Sequence, residues 1–358
     1  MKRVFQLSII ALGLLAFVLC PPISKTAAQT NFTGDWKAET RTEKPEKIYL
    51  SFEHRTANGR NQNGTDYEYK DLQGLTRSQA TSSGAVSFSL VREAGTIQCD
   101  GKFENGKGSG TFRFTSNPSF VSAMKSRGFD FTEDKYGRED NIDNRLFSAA
   151  TLNLTTAFAD ELNSAKFGKL TVDDLFKARI FNITPQFMSE MKATGFPNLG
   201  MEELVKSRIF KIDADYVRQL SDAGFKNESF EGLVKARIFK IDANYVKQVK
   251  AMGFKDQSME SLVKMSIFKI TPEYIKEVQD QGFKDFSVEE LVKLKTFKIT
   301  GAFIKEIQTE GFSKLSIEQL VKMKIFKIDG AFIRKARADK ADLDVEDLVQ
   351  MKIGIWRK

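Results

Sequence analysis

Residues 271–300 read TPEYIKEVQDQGFKDFSVEELVKLKTFKIT, and this stretch is typical of two short helices joined by a tight turn. Thr271 is a good N-cap for the first helix. Gly282 can adopt the left-handed conformation that ends that helix. Ser287 and Glu290 have the spacing of a capping box, which marks the start of a second helix. The stretch therefore predicts a helical hairpin.

The same pattern recurs along the chain every 29 residues. The pair that ends the first helix is found at Gly195-Phe196, Gly224-Phe225, Gly253-Phe254, Gly282-Phe283 and Gly311-Phe312. An interval of this size indicates a solenoid of stacked repeats. An earlier copy begins near Pro118 and precedes an acidic insertion at about 130–144. We therefore predict an α-helical hairpin solenoid of about eight 29-residue repeats over residues 116–358.

The other copies replace the caps with residues of the same kind. The first-helix caps are Thr184, Asp213, Asp242 and Asp329, and the second-helix caps are Thr171, Ser229, Ser258 and Ser316. Helices of about ten residues are marginal alone, so their apolar stripes must be buried between copies. We expect two aromatic columns to form core layers, namely Phe239, Phe268 and Phe297, and Tyr216, Tyr245 and Tyr274.

Residues 29–115 have the alternating apolar pattern of β-strands. Asn58-Gly59, Asn63-Gly64, Ala94-Gly95 and Asn105-Gly106 supply turn residues, which predicts antiparallel neighbours. About six strands forming a small barrel or sandwich would satisfy this pattern. The chain is thus predicted to be an α+β multidomain protein, with a small antiparallel β domain at 29–115 before the repeat array.

The motif Gly34-Asp35-Trp36 is similar to the G-x-W of lipocalin-like barrels, where the tryptophan plugs one end. The resemblance implies that the β domain could hold a small apolar ligand, with the repeats as a spacer. A domain of this size can equally be filled by its own side chains.

The N-terminus has the layout of a secretory signal peptide over residues 1–28. A positive start at Lys2 and Arg3 precedes an apolar run, and small residues precede Gln29. Lipidation at Cys20 or an uncleaved anchor are the alternatives. Removing residues 1–28 deletes three basic residues and no acid, so the net charge falls from +8 to +5. We therefore expect an exported protein, periplasmic or secreted, or else one held at the envelope by its N-terminal segment.

The residue counts argue against several kinds of enzyme. One histidine and two cysteines cannot supply the H-E-x-x-H motif of zinc peptidases. Cys99 is left without an intrachain disulfide partner once Cys20 is removed, and is expected to be a small, half-buried strand residue. The glycines at Gly106, Gly108 and Gly110 lead into a strand, so they predict a hairpin tip and not a phosphate loop. A hydrolase would need His54 as its base. We expect no enzymatic activity, no metal and no cofactor.

Two columns of lysine recur in the repeats. Lys206, Lys235, Lys264, Lys293 and Lys322 each follow a glutamate by four residues, which predicts a self-neutralised helix surface. Lys211, Lys240, Lys269, Lys298 and Lys327 each precede a helix N-cap, where the helix dipole offers a cation nothing. These five are the candidate partner-binding residues, and the nearby Arg208, Arg237, Lys295 and Lys324 are expected to extend them into a ribbon of positive charge that Ser266 interrupts. Solubility is the alternative explanation.

The repeat resembles those of a known group of membrane proteins. The start at 271–275, the Gly-Phe end and the helix at 287–292 resemble the short helical repeats in the C-terminal, extracytoplasmic part of bacterial antirepressor metallopeptidases that sense beta-lactams. Those repeats commonly carry His-Gly where this chain has Phe268-Lys269. The resemblance covers about 240 residues and includes no peptidase motif. It implies a repeat module exported on its own and transfers no catalytic residue.

These features together predict a non-enzymatic protein-interaction scaffold of the bacterial cell envelope. The expected partner is a protein, with an anionic polymer as the alternative and no specific nucleic acid. Contact with the membrane is expected only through the N-terminal segment.

Overall fold

The computed structural model describes residues 31–56, 59–133, 142–196, 199–284 and 286–355. These residues form two compact units, which meet in sequence between Ala159 and Asp160. The predicted signal peptide and most of the predicted insertion lie outside the described residues.

The first unit contains one antiparallel sheet of seven strands. The strands are β1 (Asn31–Thr40), β2 (Lys47–Thr56), β3 (Gly59–Glu68), β4 (Leu72–Gln73), β5 (Gly84–Arg92), β6 (Gly95–Glu104) and β7 (Lys107–Ser116). Their order across the sheet is β3-β2-β1-β7-β6-β5-β4. The prediction of antiparallel strands is confirmed.

The sheet is open, so the prediction of a barrel or a two-sheet sandwich is wrong. The edge strands β3 and β4 are consecutive in the chain, separated only by the 3-10 turn Tyr69–Asp71. The two edges therefore come near each other at that corner. No ladder joins β3 to β4 in the described residues, because β4 is only two residues long and pairs with β5.

Two of the four predicted turn pairs, Ala94-Gly95 and Asn105-Gly106, lie at hairpin turns, and Asn58 of the predicted pair Asn58-Gly59 lies outside the described residues. Asn105 and Gly106 both have positive φ, at 49° and 87°, and connect β6 to β7. Gly95 has φ 154° and follows the β5–β6 turn. The prediction of a turn at Asn63-Gly64 is wrong, because Gly64 lies within β3 opposite Ser51.

Aromatic side chains fill the buried face of the sheet. Trp36 is 1% exposed and lies 5.2 Å from Phe88, centroid to centroid. Phe147, on the helix Ile142–Thr151, stacks on Phe112 of β7 at 5.3 Å. That helix covers the sheet, so the first unit extends well beyond the last strand. Cys99 lies in a strand as predicted, but it is fully buried and not half-buried. Burial raises the pKa of its thiol.

Helices make up the rest of the described chain. They are α1 (Arg77–Thr81), α2 (Pro118–Lys125), α3 (Ile142–Thr151), α4 (Thr156–Ser164), α5 (Val172–Ile180), α6 (Pro185–Ala193), α7 (Met201–Phe210), α8 (Ala214–Asp222), α9 (Phe230–Ile238), α10 (Ala243–Ala251), α11 (Met259–Ile267), α12 (Pro272–Gln279), α13 (Val288–Thr296), α14 (Gly301–Thr309), α15 (Ile317–Ile325), α16 (Gly330–Ala336) and α17 (Val345–Ile353). The α+β class is therefore confirmed.

The predicted caps set the ends of these helices. Thr271 accepts a hydrogen bond from the Tyr274 N–H at the start of α12, and Asp213 does the same for Tyr216 in α8. Ser287 and Glu290 form the predicted capping box of α13. The glycines that end the first helices are left-handed, with φ between 83° and 117°, at Gly195, Gly224, Gly253, Gly282 and Gly311.

Alternate helices of the second unit pack side by side. The odd-numbered helices contact one another in chain order from α5 to α17, and among the even-numbered ones α6 contacts α8 and α14 contacts α16. Leu204, Leu233, Leu262 and Leu291 are at most 1% exposed, so this leucine column lies in the core. Burial between neighbouring helices supplies the stability that each short helix lacks alone.

Candidate functional site

The five predicted lysines follow the C-termini of α7, α9, α11, α13 and α15. Each has left-handed backbone geometry, with φ between 51° and 56°, at Lys211, Lys240, Lys269, Lys298 and Lys327. Asn182 holds the same conformation after α5, with φ 52°. The next residue in each case donates its N–H to a carbonyl five residues back, as Ile270 does to Met265 at 2.8 Å. This is a Schellman cap.

This geometry changes the interpretation of the lysine column. The sequence placed these cations before a helix N-terminus, but each also directly follows a helix C-terminus, where the dipole favours positive charge by about 0.3–1 kcal/mol. Left-handed backbone costs a side chain such as lysine about 1–2 kcal/mol compared with glycine. The two effects have opposite signs, and their ranges meet near 1 kcal/mol. Backbone and dipole energetics together neither require lysine nor exclude it at these positions.

All five lysines are exposed, and within the described ranges none forms an ion pair. The other lysine column behaves differently. Lys206 pairs with Glu231 at 2.6 Å and Lys293 pairs with Glu318 at 3.1 Å. Lys177 pairs with Glu202 and Lys322 with Glu346 in the same way. We call this column, with Lys177, the Lys–Glu ladder, and its ion pairs mostly join neighbouring helices. Among the described residues the predicted pairing four residues apart is formed only by Lys264 with Glu260, and Lys235 forms no ion pair.

The nearby cations are also engaged in packing. Arg208 lies over the Phe187 ring at 3.7 Å and Arg237 over the Tyr216 ring at 3.6 Å. Lys295 and Lys324 lie over rings of α12 and α14 at 3.6 and 4.2 Å. Cation–π contacts of this kind stabilise the helix pairs. These four residues therefore do not belong to a free ribbon of charge with the five lysines.

Sequence reasoning missed an apolar row directly beside the lysines. The row and the lysines together form what we call the Ile–Phe–Lys edge: Ile180-Phe181-Asn182, Ile209-Phe210-Lys211, Ile238-Phe239-Lys240, Ile267-Phe268-Lys269, Thr296-Phe297-Lys298 and Ile325-Phe326-Lys327. Its isoleucines are 50–57% exposed. Of the nine large apolar side chains exposed in the described ranges, six belong to this edge. Ile353, at 48%, continues it on α17.

The prediction that the phenylalanine column forms a core layer is wrong. Phe268 is 37% exposed, and Phe239 and Phe297 are half-buried. The Schellman cap turns the chain after each phenylalanine and buries the isoleucine that follows the lysine, such as Ile270 at 2% exposure. The tyrosine column agrees better with the prediction. Tyr216 and Tyr274 are 3% and 5% exposed, and Tyr245 is half-buried.

Tyr216 and Tyr274 connect neighbouring copies through their hydroxyls. Tyr216 Oη donates to the Ile241 carbonyl at 2.8 Å, and Tyr274 Oη donates to the Ile299 carbonyl at 2.9 Å. Burial raises the pKa of Tyr216 to about 12 and also raises that of Tyr274. Both phenols are therefore neutral structural donors at physiological pH.

His54, the base that a hydrolase would need, is 4% exposed. Its Nε2 lies 3.0 Å from Asn144 Oδ1, and its ring lies between Phe32 at 4.7 Å and Phe147 at 5.2 Å. The structure thus places His54 inside an aromatic cluster of the first unit. The described residues contain no group of three or more histidine, cysteine or carboxylate side chains arranged to hold a metal ion.

Two open cavities are larger than the others described. One, of about 590 Å³, lies on the polar side of the sheet and is lined by Lys37, Tyr49, Gln62 and Lys102 among others. The other, of about 630 Å³, is a groove between α6 and α8, with Glu190 and Arg218 in its walls. Their linings mix both charges. None of the helices in the described ranges combines the length and apolarity that a bilayer crossing requires.

No family model matches the sequence, and no curated protein matches it significantly.

Proposed function

We propose that residues 116–358 carry about eight helical hairpin repeats, stacked as a solenoid in the second unit, and that this array is a non-enzymatic protein-interaction scaffold of the bacterial cell envelope. Residues 1–28 serve as the export signal in this proposal. Solenoids present long surfaces on which a partner is held by a few anchors.

The observation that carries the proposal is the Ile–Phe–Lys edge. Six of the nine exposed large apolar side chains of the described residues belong to this edge, and apolar side chains concentrated on one surface mark interaction sites. Each hairpin contributes one segment to the edge, so the edge becomes longer with each added hairpin. Lys206, Lys264, Lys293 and Lys322 of the Lys–Glu ladder are paired with glutamates within the chain, whereas the edge lysines form no ion pair among the described residues and are available to a partner.

The two other candidate functions have less support. Trp36, Phe52, Phe103 and Phe112 fill the buried face of the sheet where a barrel ligand would sit. A hydrolase would need His54 to reach substrate, and its side chain is enclosed by Phe32 and Phe147.

A pair of charge-matched variants tests the proposal. Lys240, Lys269 and Lys298 are replaced together by Glu in one variant of the full chain. Lys235, Lys264 and Lys293, on the ladder side, are replaced by Glu in the other. We expect the first variant to lose the proteins that the wild type retains from envelope extract, and the second to keep them. Equal retention by both variants would contradict the proposal.

A further inference from the structure

We infer that the Ile–Phe–Lys edge binds an extended, acidic segment of a partner protein that carries an apolar side chain at every third residue. This inference rests on the proposed scaffold function and names the chemistry of the partner.

The spacing of the edge is the first argument. The odd-numbered helices contact one another directly, and packed helices lie about 8–10 Å apart. The isoleucines at their C-termini therefore recur at about the same interval. A polyproline II chain rises about 3.1 Å per residue with three residues per turn, so every third side chain lies on one side at intervals of about 9.3 Å. A β-strand fits less well, because residues three apart point to opposite faces.

The continuity of the row sets the length of the segment. Ile180, Ile209, Ile238 and Ile267 are consecutive, and Thr296 interrupts the row after them. Four apolar contacts at every third position require about ten residues of extended chain.

The charges of the edge predict which residues of the partner segment lie between its apolar side chains. Lys211, Lys240 and Lys269 each stand two residues after an isoleucine of this row, and all three are exposed. An acidic residue in each triplet of the partner can pair with one of them. A second copy of the same edge would instead bring two lysine rows together, which disfavours self-association through this surface.

The same charges argue against an anionic membrane as the occupant. The exposed caps Asp213, Asp242 and Asp329 follow three of the five edge lysines by two residues. These three aspartates reduce the net charge of the edge from +5 to +2. The flat anionic surface of a membrane would contact the aspartates as well as the lysines. A narrow peptide can contact each lysine and avoid each cap.

The test uses a fluorescein-labelled peptide, Leu-Pro-Glu-Leu-Pro-Glu-Leu-Pro-Glu-Leu, and the full chain, with binding followed by fluorescence anisotropy. Two control peptides carry Lys in place of Glu, or Leu at every second position. The variant I209S/I238S/I267S removes the apolar contacts at exposed sites, so its fold is expected to survive, and far-ultraviolet circular dichroism checks this. The control variant V91S removes an exposed apolar side chain of β5, outside the edge.

We expect the acidic peptide to bind the wild type and V91S equally, and to bind I209S/I238S/I267S at least tenfold more weakly. Binding should weaken several-fold between about 50 and 500 mM salt, because the lysine contacts are exposed and screened. Both control peptides should bind at least tenfold more weakly than the acidic one.

Other results would overturn the inference. These are no binding at about 1 mM peptide, equal binding by the triple variant, or equal binding of either control peptide. Phosphatidylglycerol vesicles that bind the wild type and not I209S/I238S/I267S would make a membrane the occupant and would also overturn it. If the peptide fails but the Lys240, Lys269 and Lys298 variant still loses its envelope partners, the scaffold function stands and only the partner chemistry is wrong. If both experiments fail, both proposals fall.

Discussion

Two tyrosines at equivalent positions of the array should respond in opposite ways to the loss of a hydroxyl group. Tyr274 donates its hydroxyl to the Ile299 carbonyl in the following copy at 2.9 Å. Tyr245 occupies the same column one copy earlier, but its buried hydroxyl has no hydrogen-bond partner among the described residues. The substitutions Tyr274→Phe and Tyr245→Phe remove the same atom from these two environments.

The structure sets the size of each effect. Tyr274→Phe leaves the Ile299 carbonyl without its donor, and an unsatisfied buried polar group costs about 1–3 kcal/mol. Tyr245→Phe removes a hydroxyl that already carries a desolvation cost in the wild type, so it should leave stability unchanged or raise it by about 1 kcal/mol. We therefore expect the two variants to differ by about 2 kcal/mol, which corresponds to about 4–8 °C in Tm for a unit of this size.

Urea unfolding followed by circular dichroism at 222 nm measures the difference, provided that the slopes of the two transitions agree. Tyr216→Phe is the internal control, because its hydroxyl also reaches the next copy, at 2.8 Å from the Ile241 carbonyl. It should behave like Tyr274→Phe. A loss of stability in Tyr245→Phe equal to that in Tyr274→Phe would refute the reasoning.

Three further outcomes follow from burial and packing. Phe268→Ala should lower the free energy of unfolding by less than about 2 kcal/mol, because Phe268 is 37% exposed. Leu262→Ala should lower it by about 2–5 kcal/mol, because Leu262 lies in the core and is 1% exposed. Equal losses of stability in urea unfolding would contradict this burial pattern. Phe147→Ala should cost about 3–5 kcal/mol and should reduce the near-ultraviolet circular dichroism of the aromatic cluster, and an unchanged spectrum would show that α3 does not cover the sheet. Stability should fall as pH rises between about 10 and 12, because tyrosine in the unfolded chain loses its proton near pH 10 while burial raises the pKa of Tyr216 in the folded protein to about 12. A pH titration of the phenolate absorbance at 295 nm measures the tyrosine ionisation of the folded protein. Ionisation of every tyrosine near pH 10 would contradict the prediction.

Local chemistry made the helices of the repeat predictable. Thr271, Ser287 and Gly282 act through their nearest backbone neighbours, so their roles follow from spacing alone. The strand pairing of Asn105-Gly106 was predictable for the same reason. Asn63-Gly64 carries the same two residues, but the register of β3 against β2 places it inside a strand. That choice depends on the whole hairpin and not on the pair.

Exposure within the array could not be predicted from recurrence. Ile267, Phe268 and Ile270 belong to columns with similar spacing and similar apolarity, yet Ile267 is 50% exposed and Ile270 is 2% exposed. The left-handed Lys269 between them turns the chain and decides which side chain faces the core. Lysine at that conformation is uncommon, so the sequence carried no strong signal for it. The exposed row was therefore visible only in three dimensions.

The most direct test of the central claim is site-specific photo-crosslinking in the cells that make the protein. A benzophenone amino acid is placed at Ile238 on the Ile–Phe–Lys edge, or at Lys264 on the Lys–Glu ladder, and the full chain is irradiated and analysed on a denaturing gel. The account predicts a discrete protein adduct from position 238 and none from position 264. Adducts of equal yield from both positions, or an adduct from position 264 alone, would contradict it.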